Sequence, residues 1–153
     1  MLLTPHILFA LYLTKIFPIW FALPMAFISH MIFDFFFPHW NPHIFTEIKK
    51  FGKIQRNSLT IIIIDCLTSL GFVFFFSSKV YPNISAISVL FAAAFFSILP
   101  DIIEIPYYFF NHRSKLMKKI MDFQHNHQAD ANIVWGNLSQ WGLASLCLYY
   151  LLK

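Results

Sequence analysis

Charge is scarce in this chain. Asp, Glu, Lys and Arg make up 12% of its 153 residues, about half of what a soluble domain carries. With 58% hydrophobic residues, there is too little polar surface to coat a water-soluble fold. Glycine is also rare, at four residues, and no GxSxG, P-loop or GxGxxG stretch occurs, so serine-hydrolase and nucleotide chemistry lack their usual signatures. The two cysteines, Cys66 and Cys147, lie inside apolar runs and form no CxxC. That excludes a disulfide framework and reads as small core hydrophobes. The net charge of +4 sits in short clusters between apolar runs, so it implies membrane orientation and not nucleic-acid binding. Met1 to His6 has no basic n-region, and no small-residue cleavage site follows, so this segment is expected to be retained.

What the chain has in abundance is long apolar runs. They predict an all-α polytopic membrane bundle with four or five transmembrane helices, a single domain over residues 1–153. The helices are expected at about 5–16, 19–37, 59–76, 85–110 and 133–152. Thr4 is the expected cap of the first helix, with Pro5 at its first position; that helix is short for a span and either crosses or re-enters. Pro24 is expected to bend the second helix and Pro100 to interrupt the fourth. Asn57 or Ser58 is expected to cap the third. Between residues 38 and 57, Phe45, Ile48, Phe51 and Ile54 alternate with Lys49, Lys50, Lys53 and Arg56, the pattern of a short basic helix lying among headgroups. Leu116, Met117, Ile120 and Phe123 can give residues 111–131 an apolar face in the same way.

The connections after the second and fourth helices hold four Lys or Arg each, the second set being Arg113, Lys115, Lys118 and Lys119. The other two connections hold only Lys15 and Lys79. The positive-inside rule then puts both basic connections, and the N-terminus, in the cytoplasm of a cell with an inner (plasma) membrane. All seven histidines fall at that face. Asp34, Asp65, Asp101 and Glu104 are expected there as well.

Polar groups that can ligate a metal are rare in apolar helices and mark function when they occur. Imidazole and carboxylate are the ligands of catalytic zinc and similar divalent metals, which acidify bound water toward pH 7. His30 and Asp34, at i and i+4, share one helix face. Asp101 and Glu104, at i and i+3, share another. His125-Asn126-His127 points both rings one way if extended and apart if helical. The candidate metal ligands are therefore His6, His30, Asp34, Asp101, His125 and His127, with His39 in support. Glu104 or Asp65 is the candidate base, and Arg113 or Lys115 the candidate anchor for an anionic group. His43 and His112 read as interfacial. Haem is disfavoured because the imidazoles are mixed with carboxylates, and a channel because the outer halves of the helices are nearly bare.

The residues Thr4-Pro5-His6-Ile7-Leu8, Ser29-His30-x3-Asp34-x4-His39-Trp40 and Ile98-Leu99-Pro100-Asp101 resemble the small bacterial membrane-bound metal-dependent hydrolases of the YdjM type, and most closely their short relatives. In the YdjM-type proteins the LPD element comes before the SHxxxD element; here it follows. The resemblance implies a metal site built from His6, His30, Asp34 and Asp101, with His125 or His127 completing it. The function expected is metal-dependent hydrolysis at the cytoplasmic face, with a divalent metal, zinc first, acting on a lipid or other amphipathic ester or phosphoester in the bilayer. The rival expectation is a non-enzymatic membrane protein in which the same cluster is structural or binds metal without turnover.

Overall fold

The computed structural model describes residues 1–110 and 114–153. Among these the chain forms seven helices: α1 (Leu3–Ile16), α2 (Ile19–Phe36), α3 (Ile44–Phe51), α4 (Arg56–Val80), α5 (Ile84–Phe109), α6 (Lys115–His127) and α7 (Ile133–Leu152). No strand is present among the described residues; a single bridge pairs His39 with Asp130. The five apolar helices expected from hydropathy are there, the first of them short, and the two polar connections each contain an amphipathic helix, α3 and α6.

Three helices, α2, α4 and α5, are long and apolar enough to cross a membrane. Most of each apolar stretch is left uncovered by protein, with only 22% of the α4 and α5 windows buried. Phe74, Phe75, Phe91 and Phe95 lie on these open faces. Such surface in water would greatly exceed the apolar patches a soluble monomer shows, so lipid is the environment these helices fit.

The short helix α1 is the axis of the bundle. At 14 residues it is about 21 Å long, at 1.5 Å per residue. It packs against α2, α4, α5 and α7. Leu8, Ala10 and Leu11 are fully buried on it, and Ala22 and Ala26 of α2 and Ala93 of α5 supply the small faces that let the neighbours come close.

Several sequence-based expectations at helix ends are corrected. Thr4 does not cap α1. The helix starts at Leu3 after Leu2, which makes no side-chain cap, and Thr4 lies inside it. Ser58 does not cap α4 either. It donates to Glu47 Oε1 at 2.5 Å, while the Gln55 N–H donates to Glu47 Oε2 at 2.8 Å. A carboxylate from α3 thus closes the turn into α4. Pro100 does not interrupt α5, which continues through both Pro100 and Pro106 to Phe109.

A strap after α2 ties the polar end of the bundle to α7. The His39 N–H donates to Ala129 O at 3.1 Å, and the Ala131 N–H donates to His39 O at 2.8 Å. On the other side of the strap the Gln140 amide donates to Trp40 O at 3.0 Å, and the Ser139 hydroxyl donates to Pro38 O. Backbone meets backbone here. A Cβ on Gly136 would lie 2.4 Å from Trp40 N and 2.7 Å from His39 C, whereas one on Gly142 would meet nothing within 4 Å. Gly136→Ala is therefore expected to lower thermal stability in detergent by about 1–3 kcal/mol or more through overpacking. Gly142→Ala is expected to be neutral or slightly stabilising, since alanine is the better helix former. Equal melting temperatures for the two variants would contradict the close approach of strap and α7.

Candidate metal centre

The polar residues of four apolar helices meet at one end of the bundle. His6 sits in the first turns of α1, and His30 and Asp34 near the end of α2. Asp65 lies in the first half of α4, and Asp101 in the second half of α5. Antiparallel packing brings these ends together, and chain-distant contacts join them.

His30 is 1% exposed and Asp34 7%. The Nδ1 of His30 lies 2.6 Å from the Ser97 carbonyl. A carbonyl only accepts, so Nδ1 carries the hydrogen. Nε2 is then buried and without a hydrogen bond, 3.5 Å from Asp34 Oδ2 and 3.5 Å from Asp101 Oδ1. A ring nitrogen oriented by a backbone carbonyl on its far side is the usual arrangement of a metal-binding histidine. Two ligands of one tetrahedral ion, each at about 2.1 Å, stand about 3.4 Å apart, close to both separations. His6, 1% exposed, places Nε2 3.2 Å from Asp34 Oδ1. Its Nδ1 has no partner; a carboxylate oxygen only accepts, so Nε2 carries the hydrogen here, and no second partner holds one on Nδ1. The terminal nitrogen of Met1 lies 2.7 Å from the same Oδ1. His6, His30 and Asp34 each offer a ligand atom within 4.8 Å of the others. They form a buried group able to hold a metal ion.

The other predicted site residues divide. Asp101 borders the group through His30, and its side chain is 38% exposed. Glu104, one turn on, has Tyr108 as its polar neighbour. Asp34, Asp101 and Glu104 line a cleft of about 430 Å³ whose walls include Ile62, Ile98 and Ile102. Its size falls in the range of small-molecule sites, roughly 300–1,000 Å³. His125 and His127 stand apart from the buried group, although His125 borders the cleft. They lie on α6, where residues two apart point to opposite faces, and neither joins the His6–His30–Asp34 group. His125 packs on Phe45 at 4.7 Å, and His127 on Phe123 at 4.5 Å. Lys115 is exposed on the first turn of α6, away from the cleft lining. Arg113 and His112 lie outside the described residues.

Asp65, a candidate base, has another occupation. Its Oδ2 accepts from the Leu3 N–H at 2.5 Å, and its Oδ1 accepts from the Thr4 N–H at 3.1 Å and the Thr4 hydroxyl at 2.6 Å. It caps the buried start of α1 from a different helix. Gln140, absent from the sequence-based set, completes the task by accepting from the Leu2 N–H at 3.1 Å. A side-chain amide in a largely apolar closing helix, shared there with Asn137, was the available signal for it. Nothing in the sequence pointed to Ser97, because it acts through its carbonyl. Asp65→Ala is expected to strand two backbone donors, the Leu3 and Thr4 N–H groups, each worth about 1–3 kcal/mol, while the Thr4 hydroxyl keeps Ser69 Oγ, and to lower the melting temperature sharply. Asp65→Asn, which keeps one acceptor, should fall between. Wild-type stability in Asp65→Ala would refute the capping role.

His39 is fully buried. Its Nδ1 donates to Phe37 O at 2.9 Å, leaving Nε2 without a partner. Burial first, and the Met1 ammonium second, hold this imidazole below the usual histidine range. The unfolded chain thus binds the proton more readily than the folded one. Stability is intact above about pH 6.5, the ordinary histidine value, and is lost as pH falls through the folded value. Replacing His39 with Gln should reduce the drop in melting temperature between neutral and mildly acidic pH. An identical drop in the variant would assign the acid sensitivity elsewhere.

No family model, curated protein or solved structure matches the chain.

Proposed function

We propose that the protein is a membrane-embedded, metal-dependent hydrolase of the YdjM-like type, acting on an amphiphilic ester or phosphoester. The observation that carries this reading is the junction of two features. A buried His/Asp group able to hold a metal adjoins a cleft whose walls are mostly apolar and whose polar groups include Asp34, Asp101 and Glu104. A divalent cation held there, zinc first, supplies acidified water at neutral pH.

The chain's own residues divide the remaining work. His30 is held in a ligating tautomer by Ser97 O. Asp34 and Asp101 fix the position of positive charge beside the cleft. Glu104 faces the same space and serves as the base: it takes a proton from the attacking water and returns it to the leaving alcohol, while the new bond forms at the carbonyl carbon or phosphorus. The isoleucine walls hold the apolar chain of the substrate and exclude bulk water. Asp65 is not assigned a chemical step, because its oxygens are spent on α1.

For topology we favour four or five crossings, with α7 and then α1 added to the three clear spans. The N-terminus and the metal centre are placed at the cytoplasmic face of an inner membrane, on the strength of the Lys and Arg bias in the α2–α4 and α5–α7 connections. The amphipathic helices α3 and α6 then lie in the headgroup layer.

The test is metal content and hydrolysis by tag-free protein purified in detergent, using p-nitrophenyl acyl esters and a p-nitrophenyl phosphodiester as probes. Wild type is expected to carry divalent metal, to lose activity on chelation and to regain it with zinc. His30→Ala and Asp101→Ala should lose metal. Glu104→Gln should keep it and slow turnover by about 10²–10⁴-fold. Near-zero metal in wild type and both metal-site variants alike would remove the reading, as would Glu104→Gln turning over at the wild-type rate.

A further inference from the structure

The rings of His6 and His30 are stacked, with centres 3.9 Å apart and planes 15° apart. This restricts how they can share metal. An imidazole nitrogen binds an ion along its lone pair, in the plane of the ring, and an ion about 2.1 Å from one ring's nitrogen here would stand roughly 3 Å out of the plane of the other. A single ion therefore cannot satisfy both lone pairs without breaking the stack.

Asp34 suits a different arrangement. Its two oxygens face different rings: Oδ1 is 3.2 Å from His6 Nε2, and Oδ2 is 3.5 Å from His30 Nε2. A carboxylate with one oxygen on each of two ions is a common bridge, and paired ions in hydrolytic sites stand about 3.5–4 Å apart. The ring separation matches that spacing. Resting on the metal-binding reading above, we propose that the centre is dinuclear: one divalent cation on His30 Nε2, Asp34 Oδ2 and Asp101, and a second on His6 and Asp34 Oδ1.

The two positions differ. The first is oriented by the Ser97 carbonyl and borders the cleft through Asp101, so it is the position nearer substrate. The second lies on the axial helix, against the oxygen that the Met1 nitrogen also touches. A cation there displaces the Met1 nitrogen from Oδ1. Asp34 is the shared element, and its negative charge is what lets two cations approach so closely.

The experiment is elemental analysis of tag-free wild type, His6→Ala and Asp34→Ala after loading with zinc and removal of free ion, with monodispersity and helicity checked for each. Two ions per chain are expected in wild type, one in His6→Ala and none in Asp34→Ala. One ion in wild type overturns the dinuclear proposal and leaves the hydrolase reading standing; none overturns both. A folded His6→Ala retaining two ions, or losing all, also overturns it. Loading with Mn²⁺ gives an independent readout by electron paramagnetic resonance. An exchange-coupled spectrum is expected in wild type and a single-ion spectrum in His6→Ala, and a single-ion spectrum in both would contradict the proposal.

Discussion

The constraint on which the structure depends is the burial of a helix start. An α-helix begins with amide hydrogens that have no partner of their own, and α1 begins inside the bundle. Each of these hydrogens is accounted for. Leu2 donates to Gln140, and Leu3 and Thr4 donate to Asp65. Pro5 has no amide hydrogen to satisfy. One carboxylate from α4 and one amide from α7 thus replace the water that would otherwise solvate the end, and they tie three helices at one point. The positive end of the α1 dipole favours the same carboxylate.

The geometry of the His6–His30–Asp34 group follows from that arrangement. With its start anchored, α1 presents His6 at the depth of Asp34, and the strap from Pro38 to Trp40 holds the end of α2 against the turn before α7. His30 is oriented from a third side by Ser97 O of α5. Four elements therefore position the cluster, each by a contact to a different partner. Preorganisation of this kind keeps ligand atoms in place without the ligand, and it lets a polar group persist in an apolar bundle where an unsupported one would be expelled.

The intramembrane carboxylates thus have different tasks although they look alike in sequence. Asp65 is engaged by α1, both of its oxygens accepting from Leu3 and Thr4. Asp34 is placed between two imidazoles. Asp101 and Glu104 open onto the cleft. The same distinction separates the histidines. His6 and His30 sit on helices whose ends converge, whereas His125 and His127 sit on a peripheral helix and pack on phenylalanines.

Hydropathy alone determined where the five apolar helices lie and their bounds to within a few residues, because apolar runs separated by polar turns mark them; proline did not, since Pro24, Pro100 and Pro106 all lie inside helices. The i, i+4 spacing of His30 and Asp34 likewise determined that they share a face, since helical geometry leaves no alternative. Helix caps were not legible, because Asp65 and Glu47 cap from other helices and no local motif announces them. Nor could sequence assign Ser97 its role, which rests on a carbonyl, or show that the His6 and His30 rings stack. Those features depend on how helices distant in the chain meet, and only the packing around α1 decided them.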